Sequence, residues 1–236
     1  MARQIVLDTE TTGLRVEDGH RLIEIGCIEL INRKLTQRTF HYYLNPQREV
    51  EAGAMAVHGI TNEFLTDKPL FHTLAAEFME FISGAELIIH NAAFDLSFLN
   101  HELALTRQGF KPLTDYCNVI DTLLMARKLH VGQRNSLDAL CKRYSVDNTK
   151  RDLHGALLDA NLLAQVYLAM TGGQGSFFDE VAESPSASID NGESANVSTK
   201  QKHQLVVISA TDEENVAHNE YLETMKKKGE CLWLDD

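Results

Sequence analysis

The run Leu7-Asp8-Thr9-Glu10-Thr11-Thr12-Gly13 sets two carboxylates two residues apart at the end of an apolar, strand-like segment. Alternate residues of a strand face the same side, so Asp8 and Glu10 project together. Two like charges brought that close repel unless cations neutralise them, and hard oxygen ligands on a rigid strand suit Mg²⁺ or Mn²⁺. A further acid, Asp95, follows Ile89-His90-Asn91-Ala92-Ala93-Phe94, where a buried-type strand gives way to a helix. That junction is a usual place for a site in an α/β sheet. The third element is His154-Gly155-Ala156-Leu157-Leu158-Asp159. Five helical residues rotate by about 500°, so His154 and Asp159 do not share a face of one regular helix. With His154 in the preceding loop or first turn, its ring leans over a site that Asp159 enters from within the helix. Imidazole beside an attacking water is a natural general base. Taken singly, each element also reads as ordinary structure: a solvated strand end, a helix-dipole carboxylate, a histidine at a helix start.

The elements that must position these residues follow from hydrophobic period. Residues 4–8, 22–31 and 38–44 read as three consecutive strands, antiparallel because their connections are short. Helical spacing then appears over 70–82, closed by Gly84, followed by a buried strand at 87–90 and a helix over 93–105. A short strand at 119–121 precedes helices at 122–130 and 136–144, the latter capped by Ser136 with Asp138, and a last helix spans 154–170. Strands followed by alternating helices and strands predict an α/β fold with a mixed sheet flanked by helices. Residues 179–203 have almost no large apolar side chains and read as a flexible linker with a reach of roughly 25–30 Å. Beyond it, 205–208 reads as a strand, and Thr211 caps a helix with Asp212, Glu213 and Glu214 in its first turn and Lys226–Lys228 in its last. So short a segment buries little core alone, and with the only tryptophan, Trp233, near its end it reads as a docking element that folds on a partner.

With 236 residues, 44% apolar and 24% charged, and only 4 Pro and 14 Gly, collagenous and wholly disordered chains are excluded. No apolar run is long enough to span a bilayer, and the start, Met-Ala-Arg-Gln, lacks the apolar stretch of a signal peptide. Cys27, Cys117, Cys141 and Cys231 are widely spaced and read as reduced thiols. The expectation is a cytoplasmic protein. Residues 1–173 carry 17 Lys+Arg against 21 Asp+Glu, and residues 174–236 carry 5 against 13. Bulk charge thus argues against nonspecific nucleic-acid binding, an argument that bound divalent cations in an acidic site would undo.

In order along the chain, Asp8-x-Glu10, Asp95 and His154-x4-Asp159 resemble the three exonuclease motifs of the histidine branch of the DEDD superfamily. Val57-His58-Gly59-Ile60, His90 to Asp95, Arg134-Asn135-Ser136-Leu137-Asp138 and His154 to Asp159 narrow the likeness to the epsilon proofreading subunits of bacterial DNA polymerase III. The resemblance covers residues 3–173, and the C-terminal Ala210 to Glu214 and Lys227 to Trp233 also look like the end of those subunits.

It implies a ribonuclease H-like exonuclease domain over 1–173, a clamp-binding peptide at 174–178, the linker at 179–203 and a polymerase-binding segment at 204–236. It implies two divalent ions, Mg²⁺ or Mn²⁺, held by Asp8, Glu10, Asp95 and Asp159, with His154 taking the proton from the attacking water. Substrate contacts carried over are the backbone at Thr11 and Thr12, Leu14 and Phe94 as apolar walls, Asn91, and His58 near the 3′ end. The family pattern has a glutamate five residues before that histidine; here Gly53 stands there, with Glu51 nearby. Gln174, Phe177 and Phe178 look like the short peptide that fits the sliding clamp (beta), and Trp233 belongs to the part that binds the polymerase catalytic (alpha) subunit. The implied function is removal of 5′-mononucleotides from a DNA 3′ end during replication, with a small theta-like subunit as a further partner. An RNA-trimming exonuclease of the same superfamily and a structural subunit with a silent site are the competing readings. An unrelated small-molecule phosphatase explains neither the tail nor the His90–Asp95 segment.

Overall fold

The computed structural model describes residues 2–149, 151, 153–172 and 211–227. The expected clamp peptide (Gln174, Phe177, Phe178), the linker, the strand at 205–208 and Trp233 lie outside the described residues. Those described fall into two units, 2–172 and 211–227.

In the first unit, β1 (Arg3–Thr11), β2 (Leu22–Ile31) and β3 (Lys34–Tyr43) form the expected antiparallel meander. Asn32 and Arg33 turn the β2–β3 hairpin with φ of 49° and 65°, the handedness a two-residue turn needs to match strand twist. Two strands are longer than the sequence suggests. β1 runs on to Thr11, so Asp8 and Glu10 sit within the strand and not at its end. β3 starts at Lys34, its first residues being mostly exposed and polar and so lacking an apolar signal.

Two short helices then intervene that the sequence reading omits, α1 (Ala52–His58) and α2 (Asn62–Leu65). The chain continues through α3 (Phe71–Ile82), β4 (Glu86–Ile89), α4 (Ala92–Thr106), β5 (Asn118–Asp121), α5 (Thr122–Leu129), α6 (Leu137–Tyr144) and α7 (Ala156–Thr171). The strand order is β3-β2-β1-β4-β5, with β4 parallel to both β1 and β5, which makes the sheet mixed.

Strand alternation divides the core between the two faces of this sheet. Ile5, Leu7, Leu87 and Ile89 pack with Phe78 of α3 and Phe98 and Leu99 of α4. Val6 and Ile88 pack with Ala126 of α5, Leu140 of α6, and Leu163 and Val166 of α7. Phe78 and Phe98 are almost wholly buried, and truncating either to alanine would cost about 3–5 kcal/mol. Asp8 and Glu10 share the parity of Val6, so they belong to the α7 side.

One glycine sets how close α7 comes. Gly26 lies opposite Asp8 on β2, and a Cβ there would sit 2.3 Å from the Leu157 nitrogen and 2.4 Å from the Ala156 carbonyl carbon. The N-terminus of α7 therefore rests directly on the β2 backbone, next to Asp8.

The second unit contains α8 (Asp212–Lys226). Its start is the capping arrangement expected: the Glu214 N–H donates to Thr211 Oγ1 at 3.2 Å, and the Thr211 N–H donates to Glu214 Oε2 at 2.8 Å.

Candidate active site

Three segments deliver acids to one cleft of about 680 Å³. From β1 come Asp8 and Glu10, with Glu24 of β2 directly across from Glu10. From the end of β4 the chain turns at Asn91, whose left-handed φ of 68° starts α4, so that Asp95 enters the cleft from the first helical turn. Asp95 is 3% exposed, and its Oδ1 accepts the Thr9 hydroxyl at 2.7 Å. It is tied to β1, whereas as a helix-dipole carboxylate alone it would face solvent. From α7 comes Asp159, buried in the turn that follows the Ala156–Leu157 contact with Gly26. His154 lies in the segment before α7, as its spacing required. Its N–H donates to the Val57 carbonyl at 3.1 Å, and its Nδ1 is 3.5 Å from Asp159 Oδ2.

The electrostatics are those of a site that wants cations. Burial first, and then the charges of Asp159, Glu24 and Asp95, push the Glu10 carboxyl up to about 8. Burial pushes Asp95 up to about 7 against the opposing Thr9 hydrogen bond. Asp8 is raised well above the ordinary carboxylate range by burial and by Asp95, Glu10 and Asp159. Acids packed this closely cannot all ionise unaided. One donor atom each from Glu10, His154 and Asp159 lies within 4.8 Å of the others, and the remaining donors are hard carboxylate oxygens. This donor set fits a divalent metal ion.

A second cavity of about 390 Å³ adjoins the first through Glu10 and Phe94. Leu14, Val57, Ala54 and Phe94 give it apolar walls, with Thr11, His58, Gly53 and Glu51 around them. Leu14 is 80% exposed, so its side chain is open to whatever enters this cavity. The His58 Nδ1 accepts the Ile60 N–H at 3.0 Å, so the ring proton sits on Nε2, which is buried without a hydrogen-bond partner among the described residues. Burial lowers the pKa of this imidazole and keeps it neutral. Asn91 lines the main cleft.

Thr12 does not join this group. It is fully buried, its N–H donates to the Arg21 carbonyl at 2.9 Å, and its carbonyl accepts the Glu51 N–H at 3.0 Å. The β1–β2 register shifts between Glu10 and Thr11, and past that shift Thr12 turns into the framework, where its hydroxyl meets His20 Nδ1 at 3.0 Å. Both its backbone groups are therefore engaged within the framework.

Two residues at the site escape the sequence reading. Glu24 is buried; one carboxylate oxygen meets His41 Nε2 at 2.8 Å and the other is buried without a hydrogen-bond partner among the described residues. Arg151 lies between Asp159, Asp138 and His154. Only its place three residues before His154 hinted at a role.

Comparison with known proteins agrees with this geometry. The model of the RNase_T family, described as Exonuclease, matches residues 5–167. The DNA polymerase III subunit epsilon of Escherichia coli (strain K12) is 51% identical over 239 residues, covering 99% of this chain and 98% of that protein. The subunit of the same name from Rickettsia conorii is 52% identical over 225 residues, covering 95% and 97%. Among solved structures, exonuclease X in complex with 5′ overhanging duplex DNA superposes with a TM-score of 0.57 at 27% identity, over 73% of this chain and 93% of that one. With acids from three separate segments meeting in one cleft and relatives matched along nearly their whole length, the chain belongs to the exonuclease family and, within it, to the DNA polymerase III epsilon subunits.

Proposed function

We propose that the chain is the proofreading 3′→5′ exodeoxyribonuclease of a bacterial replicative polymerase, releasing 5′-mononucleotides. The observation that carries this reading is the meeting of Asp8, Glu10, Asp95, His154 and Asp159 in one cleft, in a chain similar to epsilon subunits over almost its full length. Asp8, Glu10, Asp95 and Asp159 would hold two divalent ions, Mg²⁺ or Mn²⁺. Bound there, the ions supply Lewis-acid stabilisation of the attacking and leaving oxygens of phosphodiester displacement. His154 takes the proton of the attacking water. A guanidinium only donates hydrogen bonds, so the Arg151 contact marks Nδ1 as the ring nitrogen carrying the lone pair, and Nδ1 can take the proton only once that contact opens.

The adjoining apolar cavity takes the terminal nucleoside, with Phe94 and Leu14 against the bases, Thr11 beside them and His58 toward the 3′ end. Stacking of this kind contributes about 1–3 kcal/mol per base without reading sequence. A mispaired end frays more readily than a paired one, and only an unpaired strand enters so narrow a space. Selection of errors then follows from delivery of the frayed end.

Delivery is the work of the C-terminal quarter: Gln174, Phe177 and Phe178 for the sliding clamp (beta), residues 179–203 as a tether, and residues 204–236 with Trp233 for the polymerase alpha subunit. Tethering raises the local concentration of the exonuclease at the primer end. A theta-like subunit completes the set of proposed partners, in the cytoplasm. Among the described residues no helix is long and apolar enough to cross a membrane.

The test is a 5′-labelled DNA primer with a mismatched 3′ end, beside a matched control, in Mg²⁺ or Mn²⁺. Stepwise shortening, faster on the mismatch, is expected. Degradation of an RNA strand with DNA left intact would overturn the substrate assignment, and cleavage of neither would leave a structural subunit.

A further inference from the structure

The side chain of Arg151, 5% exposed, lines the acidic cleft. Its Nε donates to Asp159 Oδ1 at 2.5 Å, and its Nη2 donates to Asp159 Oδ2 at 2.6 Å and to His154 Nδ1 at 3.1 Å. Its Nη1 donates to Asp138 Oδ1 at 2.6 Å. Four of the five guanidinium N–H groups are thus spent on three side chains, two of them from the proposed catalytic set. The fork is itself anchored. The Arg151 N–H donates to the Asn148 carbonyl at 3.0 Å, and Asn148 Nδ2 donates to Asp138 Oδ1 at 3.2 Å. Among the described residues no other lysine or arginine makes an ion pair with Asp8, Glu10, Asp95 or Asp159.

We propose that Arg151 is a resident counter-cation and positioning residue: it neutralises Asp159 while metal is absent, holds Asp159 and His154 in register, and cedes part of that carboxylate when metal binds. This rests on the metal-dependent reading given above. A carboxylate offers about four lone-pair sites, so Asp159 can keep one arm of the fork and still offer an oxygen to an ion. Two opposite effects follow from one side chain. As a cation competing for Asp159, Arg151 weakens metal binding; as the fork that aligns Asp159 with His154, it raises turnover. A residue that only supported the fold would move both in the same direction.

The experiment uses the full chain with two variants. Arg151→Gln removes the charge, and Arg151→Lys keeps the charge but loses the planar fork. Mn²⁺ binding is measured by calorimetry without DNA, melting temperature is taken with and without Mn²⁺, and kcat and KM are measured on a single-stranded oligonucleotide. Arg151→Gln should bind Mn²⁺ about tenfold more tightly, the effect of losing one nearby like charge. It should also show a larger Mn²⁺-induced rise in melting temperature and a kcat about 10–100-fold lower, as misplaced reacting groups do. Arg151→Lys should bind Mn²⁺ as the unchanged protein does, with kcat reduced and KM little altered. Unchanged or weaker Mn²⁺ binding by Arg151→Gln overturns the proposal, and so does an undiminished kcat in Arg151→Lys, the variant that decides if Arg151→Gln fails to fold. Failure of the unchanged protein to bind Mn²⁺ would bring down the metal reading itself, and this proposal with it.

Discussion

Glu29 and Glu10 are buried acids on neighbouring strands, 2% and 9% exposed, and they are treated in opposite ways. Burial works against the Glu29 carboxylate, yet hydrogen bonds from Arg3 and Thr36 and the nearby Arg38 hold it below the ordinary range. Arg3 Nε and Arg38 Nη1 reach one of its oxygens at 2.7 and 3.1 Å. Glu10 sits beside Asp8 and Asp159 and across from Glu24, and it is pushed up to about 8. The sheet therefore has one end where the buried charge of Glu29 is answered by the chain's own arginines. At the other, acids outnumber their answers. The first is how a protein stabilises a buried acid; the second is how it leaves room for a cation from solution.

The sharpest way to break this contrast is to remove the unanswered acids. Asp8→Ala/Glu10→Ala should lose DNA shortening by about 10³-fold or more, while the metal-free protein melts no lower than the unchanged one because repulsion has been relieved. A lower melting temperature in that variant would show these acids to be structural. His154→Gln should reduce kcat by about 10²–10⁴-fold with the fold intact, the usual contribution of a general base. Single-turnover cleavage would measure it, and an unchanged rate would remove His154 from that role.

Acidity sharpens the comparison further. Glu10 takes up a proton more readily folded than unfolded, since its carboxyl rises from 4.5 to about 8. Its contribution to stability is whole below about pH 4.5 and is lost as the pH climbs through about 8, by up to about 5 kcal/mol. Asp95, raised to about 7, acts in the same direction. Melting followed from pH 5 to 8.5 without metal should show this decline. Glu10→Gln should flatten it and Mn²⁺ should abolish it. At the other end of the sheet, Arg3→Ala strips Glu29 of a partner and should cost about 3 kcal/mol in denaturant unfolding, with activity per folded molecule unchanged.

How much of this was legible depended on how local each signal is. Asp8 and Glu10 could be read as a pair because strand alternation is settled by neighbours in sequence. His154 and Asp159 could be reconciled only by taking the histidine out of the helix, and α7 does begin after it, at Ala156. Helices α1 and α2 were missed because seven and four residues are too few for a helical period to declare itself. That Thr12 turns into the framework could not be read, because a register shift after Glu10 leaves no mark in composition. Glu24 could not be found at all, since it matters only through Glu10 across a strand pair, and Arg151 was hinted at only by its place before His154, because the fold alone brings its fork onto Asp138 and Asp159 together.

The bare backbone at Gly26 gives the molecule an adjustable fidelity that no chemical residue controls. Since Leu157 and Ala156 rest on that position, even a single methyl group would lift the near end of a sixteen-residue helix and carry Asp159 away from Asp8. A shift of about 1 Å can cost roughly a hundredfold in rate, while the far end of the helix, packed around Leu163 and Val166, keeps its place in the core. Gly26→Ala would then be a mutator allele: a cell that carries it makes a folded subunit with every acid present, and accumulates replication errors all the same.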